Sequence, residues 1–473
     1  MPSYEVPEIP LLLTLSSLLY LMNVAEELFI AILEAGLLGS LSIGIVYGPE
    51  AGNLLPEAIS ETITILGYIG LLLLVFEAGM STNLSMLYQN WVLSAVAGLT
   101  GILLPIAFSL LLLHFGFGYT HLQSFAAGAS LSSTSLGTTL SLLKPELKQT
   151  RMGVVLLSAA LFDDVVGLVM AAIIADLSSS SGGVKWEAIV RPILVSIAFT
   201  LATAAFILVL RPLQARLPTA TKRFIYFGRT QIFLIVATLS GAVASAKYAG
   251  TSELYGAYLA GVLLAQTFCS LPEQNIPGIS NGIDRDDNDV SLTLNSVGIY
   301  SPHLAFITFF QPLLQHLFSP LFFVSMGAAL PIRSLGSVNG SSRVVWRGLV
   351  YSLTMLIGKV ITGVWLLVWP DDETGWCRRR KRRATPISAE PPSAELPLVQ
   401  LTPVRSAVIL GAAMVARGEI ALIVAQLGKP ILVGEGQEIS EAFAVVIWAI
   451  VLNTVAGAVV VGLLLRRNGT DSK

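Results

Sequence analysis

Apolar residues run along this chain in blocks of about twenty, the length that carries a helix once across the hydrocarbon core of a bilayer. Polar, Pro-rich or Gly-rich stretches separate the blocks. The pattern predicts a first series of helices near 9–25, 29–47, 60–79, 91–114, 121–143, 152–176 and 188–210. A second series follows near 229–247, 252–268, 304–330, 344–369, 402–427 and 440–465. Thirteen such spans make an all-α polytopic membrane protein.

Two connections break the short-loop pattern. Residues 270–303 include Asp284, Arg285, Asp286, Asp287 and Asp289, and residues 370–401 include the basic run Arg378–Arg383 followed by Pro-rich sequence. Both are expected to be disordered cytoplasmic loops. The acidic loop lacks the Gly and terminal Glu of an EF-hand and is expected to be solvated. The basic run is expected to anchor topology and touch anionic lipid.

Composition agrees with the pattern: 54% of the 473 residues are hydrophobic and 12% charged, with a mean hydropathy of +0.75. A net charge of -2 says nothing about nucleic acid, but no basic stripe interleaved with aromatics occurs, so nucleic acid is not an expected partner. Cys269 and Cys377 form neither a disulfide framework nor a metal motif, so no redox cofactor is indicated. The segment Met1–Pro10 has acids but no Lys or Arg, so a retained first helix is expected instead of a cleaved signal. Basic residues set the orientation: with the N-terminus outside or lumenal and the C-terminus cytoplasmic, nineteen fall inside and seven outside. The same orientation puts the sequon Asn339-Gly340-Ser341 outside.

Several polar residues sit where lipid-depth sequence should be apolar. Asp163 and Asp164 are adjacent in an apolar run from Met152 to Ile174, and even one acid at a helix centre costs about 2.5 to 3.5 kcal/mol on the lowest scales. A structural ion pair or a helix end would explain an isolated acid, but apolar sequence continues on both sides. The fifth span carries seven hydroxyls between Ser130 and Thr139, including Ser133, Thr134 and Ser135. That density predicts a broken helix whose hydroxyls and free carbonyls line a cavity. Lys359 lies too deep in its span to snorkel, and a buried ammonium needs a counter-charge, for which one of the two acids is the candidate. Arg417 and Glu419 flank Gly418 and are expected to form a structural ion pair bracing an unwound segment. Glu77, near the end of the third span, is expected at an interface or funnel.

Neighbouring residues on a helix point about 100° apart, so Asp163 and Asp164 cannot face one partner together. One acid is then available to pair with Lys359 while the other faces water. A membrane carboxylate that holds either a proton or a cation is the core of an antiporter.

These residues resemble the monovalent cation/proton antiporters, in the NapA/Kef-like branch of the sodium/hydrogen exchangers. The matching stretches are Leu38-Gly39-Ser40 with Gly48-Pro49, Ser132–Ser135, Leu161–Val165, Gly256–Gly261, Phe322–Gly327, Lys359 and Arg417–Glu419. They cover almost the whole chain in family order. The resemblance implies a homodimer of NhaA-like inverted repeats with two crossed, interrupted helices, the fifth and the twelfth. It implies a dimerisation domain of the helices in 9–79 and 229–330, a core ion-transport domain of those in 91–176 and 344–465, and a linker helix at 188–210. By position it makes Asp164 the carrier of Na+ or K+ and of the proton, with Asp163 the partner of Lys359. Ser133, Thr134 and Ser135 add ligands from the unwound part of the fifth helix. Lys359 occupies the position associated with electrogenic exchange of two protons per sodium. No cofactor beyond the transported ions is implied, and the protein is not expected to be an enzyme. No GxGxxG follows a predicted strand and little sequence follows the last span, so the nucleotide-binding regulatory domain of Kef-type relatives is not expected.

Two other classes fit less of the pattern. A sodium-coupled organic anion symporter of related fold explains broken helices but not the Asp-Asp and Lys set. An intramembrane aspartyl protease needs acids on different helices and a Gly-x-Gly-Asp motif, which is absent.

Overall fold

The computed structural model describes residues 8–33, 36–82, 91–134, 147, 150–179, 186–268, 300–330, 332–338, 342–369, 402–433 and 440–466. Of the two long loops, 370–401 and 270–299 lie outside the described residues, while 300–303, expected in the first loop, are ordered: Tyr300 N donates to Tyr226 O at 2.8 Å and Ser301 caps the helix that starts at Pro302. Among those described, eight helices are long and apolar enough to cross a bilayer: Ile9–Ile32, Glu57–Met80, Val92–Gly116, Met152–Ser178, Ile189–Gln214, Gly228–Ala249, Arg343–Val368 and Glu441–Leu464. The helices Pro302–Phe309 and Gln311–Ala328, bent by 45° at Phe310, make a ninth if counted as one span. The protein is a multi-pass integral membrane protein, and almost all of its described structure is helical.

Other predicted spans come out shorter or divided. The first helix runs on from Ile9 to Leu33, past the boundary expected near residue 25, because its polar side chains find partners. Asn23 Nδ2 donates to Leu19 O at 2.9 Å and His316 O at 3.1 Å, and Glu26 accepts from Ser40 Oγ at 3.2 Å. The second helix is then only Leu37–Tyr47, and the ninth predicted span is Glu253–Thr267. The twelfth divides into Pro403–Ala413 and Glu419–Leu427. The fifth is helical from His121 to Ser130, unwound from Leu131 to Thr134, and lies outside the described residues beyond that.

The chain separates into two compact units, with the boundary inside the Arg151–Ser179 helix. One comprises Met1–Asn83 and Leu168–Gly336. Within it the Glu57–Met80 helix packs on Glu253–Thr267, and Leu37–Tyr47 packs on Ser319–Ala328. Close approach explains two of its glycines: a methyl on Gly79 would collide with Tyr258 O, and one on Gly261 with Phe76 O. With no hydrophobic drive between helices in lipid, such small-residue contacts let van der Waals packing hold the helices together.

The other unit comprises Leu84–Gly167 and Ser337–Lys473. Here Trp91–Ser109 packs on His121–Ser130 and on Arg343–Val360, which in turn packs on Glu441–Arg466. The Arg343–Val360 helix tightens into a 3-10 turn at Ile361–Val364, where Gly363 lies against Ala407 O and Gly411 against Val360 O. Lys359 sits just before that turn. All the membrane-depth charges singled out above except Glu77 belong to this unit.

Candidate functional site: a buried ion pair beside two helix breaks

Asp163 and Asp164 lie in the middle of the Arg151–Ser179 helix, which is continuous through both. Their environments differ, as the helical spacing requires. Asp163 is fully buried, and Lys359 Nζ, also fully buried, approaches its Oδ2 at 2.5 Å. Thr134 Oγ1 donates to the same oxygen at 2.8 Å and accepts from Lys359 Nζ at 2.9 Å. Asp163 Oδ1 has no hydrogen-bond partner among the described residues. Asp164 is 8% exposed, and its Oδ1 accepts from Ser133 Oγ at 3.4 Å.

Ser133 and Thr134 reach the acids because the His121–Ser130 helix ends early. A capping box at Thr120 and Gln123 starts that helix, and it closes with Leu131 N donating to Ala127 O at 3.2 Å and Ser132 N to Ala129 O at 3.3 Å, after which the chain is unwound. The second break spans Met414 to Gly418, between Ala413 and Glu419. Side chains stitch the two breaks together: Thr134 Oγ1 also lies 3.3 Å from Met414 O, and Arg417 Nη1 donates to Ser133 O at 2.8 Å. A guanidinium suits that place, because its N–H groups can donate to backbone carbonyls where a helix is broken. Arg417 is completely buried, its own carbonyl accepts from Thr454 Oγ1 at 3.0 Å, and its Nε and Nη2 have no partner among the described residues.

The site thus brings together Asp163, Asp164, Ser133, Thr134, Lys359 and Arg417. Ser135 lies outside the described residues. Glu419 begins its helix, but its side chain, and with it the expected pair with Arg417, is likewise outside them. Glu77 belongs to the other unit, where its Oε1 accepts from Gln311 Nε2 at 3.3 Å. Among the described residues no three His, Cys, Asp or Glu side chains converge as metal ligands do.

Three further positions in the same unit did not stand out in the sequence. A methyl on Gly101 would lie 3.3 Å from Lys359 Nζ and 3.4 Å from Asp163 Oδ2, so the bare backbone lets the Trp91–Ser109 helix close over the ions. Thr362 Oγ1 donates to Lys359 O at 2.6 Å at the start of the 3-10 turn. Tyr351, fully buried, shares a 2.6 Å hydrogen bond with Ser109 Oγ. The spacing of Gly98 and Gly101 marks a helix face of small residues, yet nothing in the sequence says what that face meets.

Broken helices whose backbone and hydroxyls meet membrane-depth acids are the way secondary transporters build an ion site. The comparisons make the class specific: the model of the transmembrane sodium/hydrogen exchanger family matches residues 13–467, and the chain belongs to that family. It is 25% identical over 324 residues to the high-affinity Na+/H+ antiporter NhaS3 of Synechocystis sp., covering 67% of this chain and 60% of NhaS3. It is 24% identical over 439 residues to the Na+/H+-K+ antiporter GerN of Bacillus cereus, covering 91% of this chain and 90% of GerN. The fold is also that of the sodium proton antiporter MjNhaP1 from Methanocaldococcus jannaschii, with a TM-score of 0.57, 12% identity and coverage of 97% and 95%.

Proposed function

We propose that this protein is a secondary active antiporter that exchanges a monovalent cation, Na+ or K+, for protons across its membrane. The observation that carries this reading is the unlike fate of two adjacent acids: Asp163 is tied to Lys359, while Asp164 keeps some exposure beside Ser133. Asp164 is then the carrier. It binds a cation when ionised and a proton when neutral, and the competition couples the two fluxes.

The other residues take supporting roles in this reading. Ser133, Thr134 and Ser135 line the cation's path at the first break, and Arg417 with Glu419 steadies the second. The unit of Leu84–Gly167 and Ser337–Lys473 acts as the transport core, and the unit of Met1–Asn83 and Leu168–Gly336 forms the dimer contact. The core moves as an elevator in a homodimer of inverted repeats, with about thirteen helices per chain, the N-terminus outside and the C-terminus cytoplasmic. Both Na+/H+ and Na+/H+-K+ antiporters stand among the relatives, so both cations belong in the test.

That test is proteoliposome exchange followed with a pH-sensitive dye. Wild-type protein should dissipate a proton gradient on addition of Na+ or K+, and Asp164→Asn should abolish the response. Exchange retained by Asp164→Asn would remove Asp164 from the carrier role.

A further inference from the structure

The hydroxyl of Thr134 has more neighbours than it has hydrogens. A hydroxyl donates once and accepts through its lone pairs, and an ammonium only donates, so the 2.9 Å approach of Lys359 Nζ uses Thr134 Oγ1 as an acceptor. The single hydrogen then has two acceptors in reach, Asp163 Oδ2 at 2.8 Å and Met414 O at 3.3 Å. All these groups are buried, so water is a poor substitute for either acceptor.

The charge on Asp163 decides between them. A hydrogen bond to a carboxylate is roughly twice as strong as one between neutral groups, so an ionised Asp163 holds the hydrogen. Once Asp163 is neutralised, that advantage is lost and the Met414 carbonyl becomes a competitive acceptor, whereas departure of Lys359 from a still-ionised Asp163 tightens the bond to the carboxylate. Met414 caps the Pro403–Ala413 helix at the second break. Rotation of one hydroxyl about its Cβ–Oγ1 bond, with no covalent bond made or broken, therefore changes what holds the two breaks together.

We propose that Thr134 is a hydrogen-bond switch that reports the state of the Asp163–Lys359 pair to the break at Met414, and is not a ligand of the transported cation. It is a positioning residue. The inference rests on the exchange function above and changes the part Thr134 plays in it.

The test uses the full chain in proteoliposomes, with wild type, Thr134→Val and Thr134→Ser assayed for Na+- and K+-driven exchange against cation concentration and pH. Valine keeps the shape and removes the hydroxyl; serine keeps the hydroxyl. Loss of a charge-assisted bond should lower the maximal rate of Thr134→Val about tenfold and move its pH midpoint by about one unit, with KM for the cation changed less than about threefold. Thr134→Ser should restore rate and midpoint. A Thr134→Val whose KM rises about tenfold while its pH profile stays put would make Thr134 a cation ligand and overturn the switch. Wild-type behaviour of Thr134→Val in every respect would overturn it as well. Should Thr134→Val fail to fold, Thr134→Ala is judged by the same three readouts. Wild type and Asp164→Asn run alongside: an inactive wild type sinks the exchanger reading and the switch with it, whereas an active wild type beside an unmoved Thr134→Val sinks the switch alone.

Discussion

Two lysine–carboxylate pairs of nearly equal length occur in different units of this molecule. Lys247 Nζ lies 2.7 Å from Glu253 Oε1, with the side chains 70% and 24% exposed. Lys359 Nζ lies 2.5 Å from Asp163 Oδ2, with both side chains at 0%. Distance does not separate them; solvent does. An exposed pair gains little, because water screens it and two long side chains must be held still. A buried pair has given up its hydration, so each ion depends on the other and on the neutral donors around it. Thr134 supplies one such donor, and Gly101 supplies the close backbone. The first pair trims the end of the Gly228–Ala249 helix, while the second has no solvent to fall back on.

Breaking the buried pair should have the largest effect. Lys359→Ala leaves Asp163 buried without its cation and should cost about 3 to 5 kcal/mol of stability, read as a large fall in melting temperature of the purified protein. In the same variant any exchange that survives should become electroneutral in a membrane-potential assay. A melting temperature equal to wild type would mean that Asp163 is not charged in the resting protein.

An intermediate case is Arg347, which bonds Glu441 Oε1 at 2.8 Å with side-chain exposures of 16% and 26%. Its guanidinium carbon stands 4.8 Å above the Phe117 ring and 5.8 Å from that of Tyr119. The pair clasps the ends of three helices of the unit of Leu84–Gly167 and Ser337–Lys473. Arg347→Gln should cost about 1 kcal/mol, an exposed-pair value raised by the aromatic contacts, and should leave the pH profile of exchange unmoved. A moved profile would bring Arg347 into the ion pathway.

The smallest effect belongs to the exposed pair. Lys247→Gln should leave both melting temperature and exchange rate unchanged within error, in low salt and in high. A loss comparable to that of Lys359→Ala would show that Lys247 is covered by another surface.

Much of this contrast was legible in the residues themselves. Asp163, Asp164, Lys359 and Arg417 announced themselves because each interrupts sequence long and apolar enough to lie in lipid, and the run of hydroxyls from Ser130 marked a helix that would not stay wound. The helical repeat required Asp163 and Asp164 to face different partners, but it could not choose between them, since both are the same residue type one step apart. Three positions of the same unit were hidden for another reason. Gly101, Thr362 and Tyr351 are ordinary residues in an apolar helix, and their importance comes only from what packs against them. The first helix runs on to Leu33 through Glu26, whose acid accepts from Ser40 on the next helix, a partner the sequence pattern does not show.

By itself, then, the sequence determined that this is a helical membrane protein of the exchanger family with charges held at membrane depth, because the cost of a charge in lipid is large enough to be read from one chain. The family resemblance had assigned Lys359 to Asp163, and the structure brings the two within 2.5 Å; only the tertiary structure decided that the helix breaks at Leu131 and Met414 touch and that Thr134 stands between the pair and the second break. Those are distances between residues far apart in the chain, set by the packing of helices whose facing glycines and hydroxyls carry no signature until they meet.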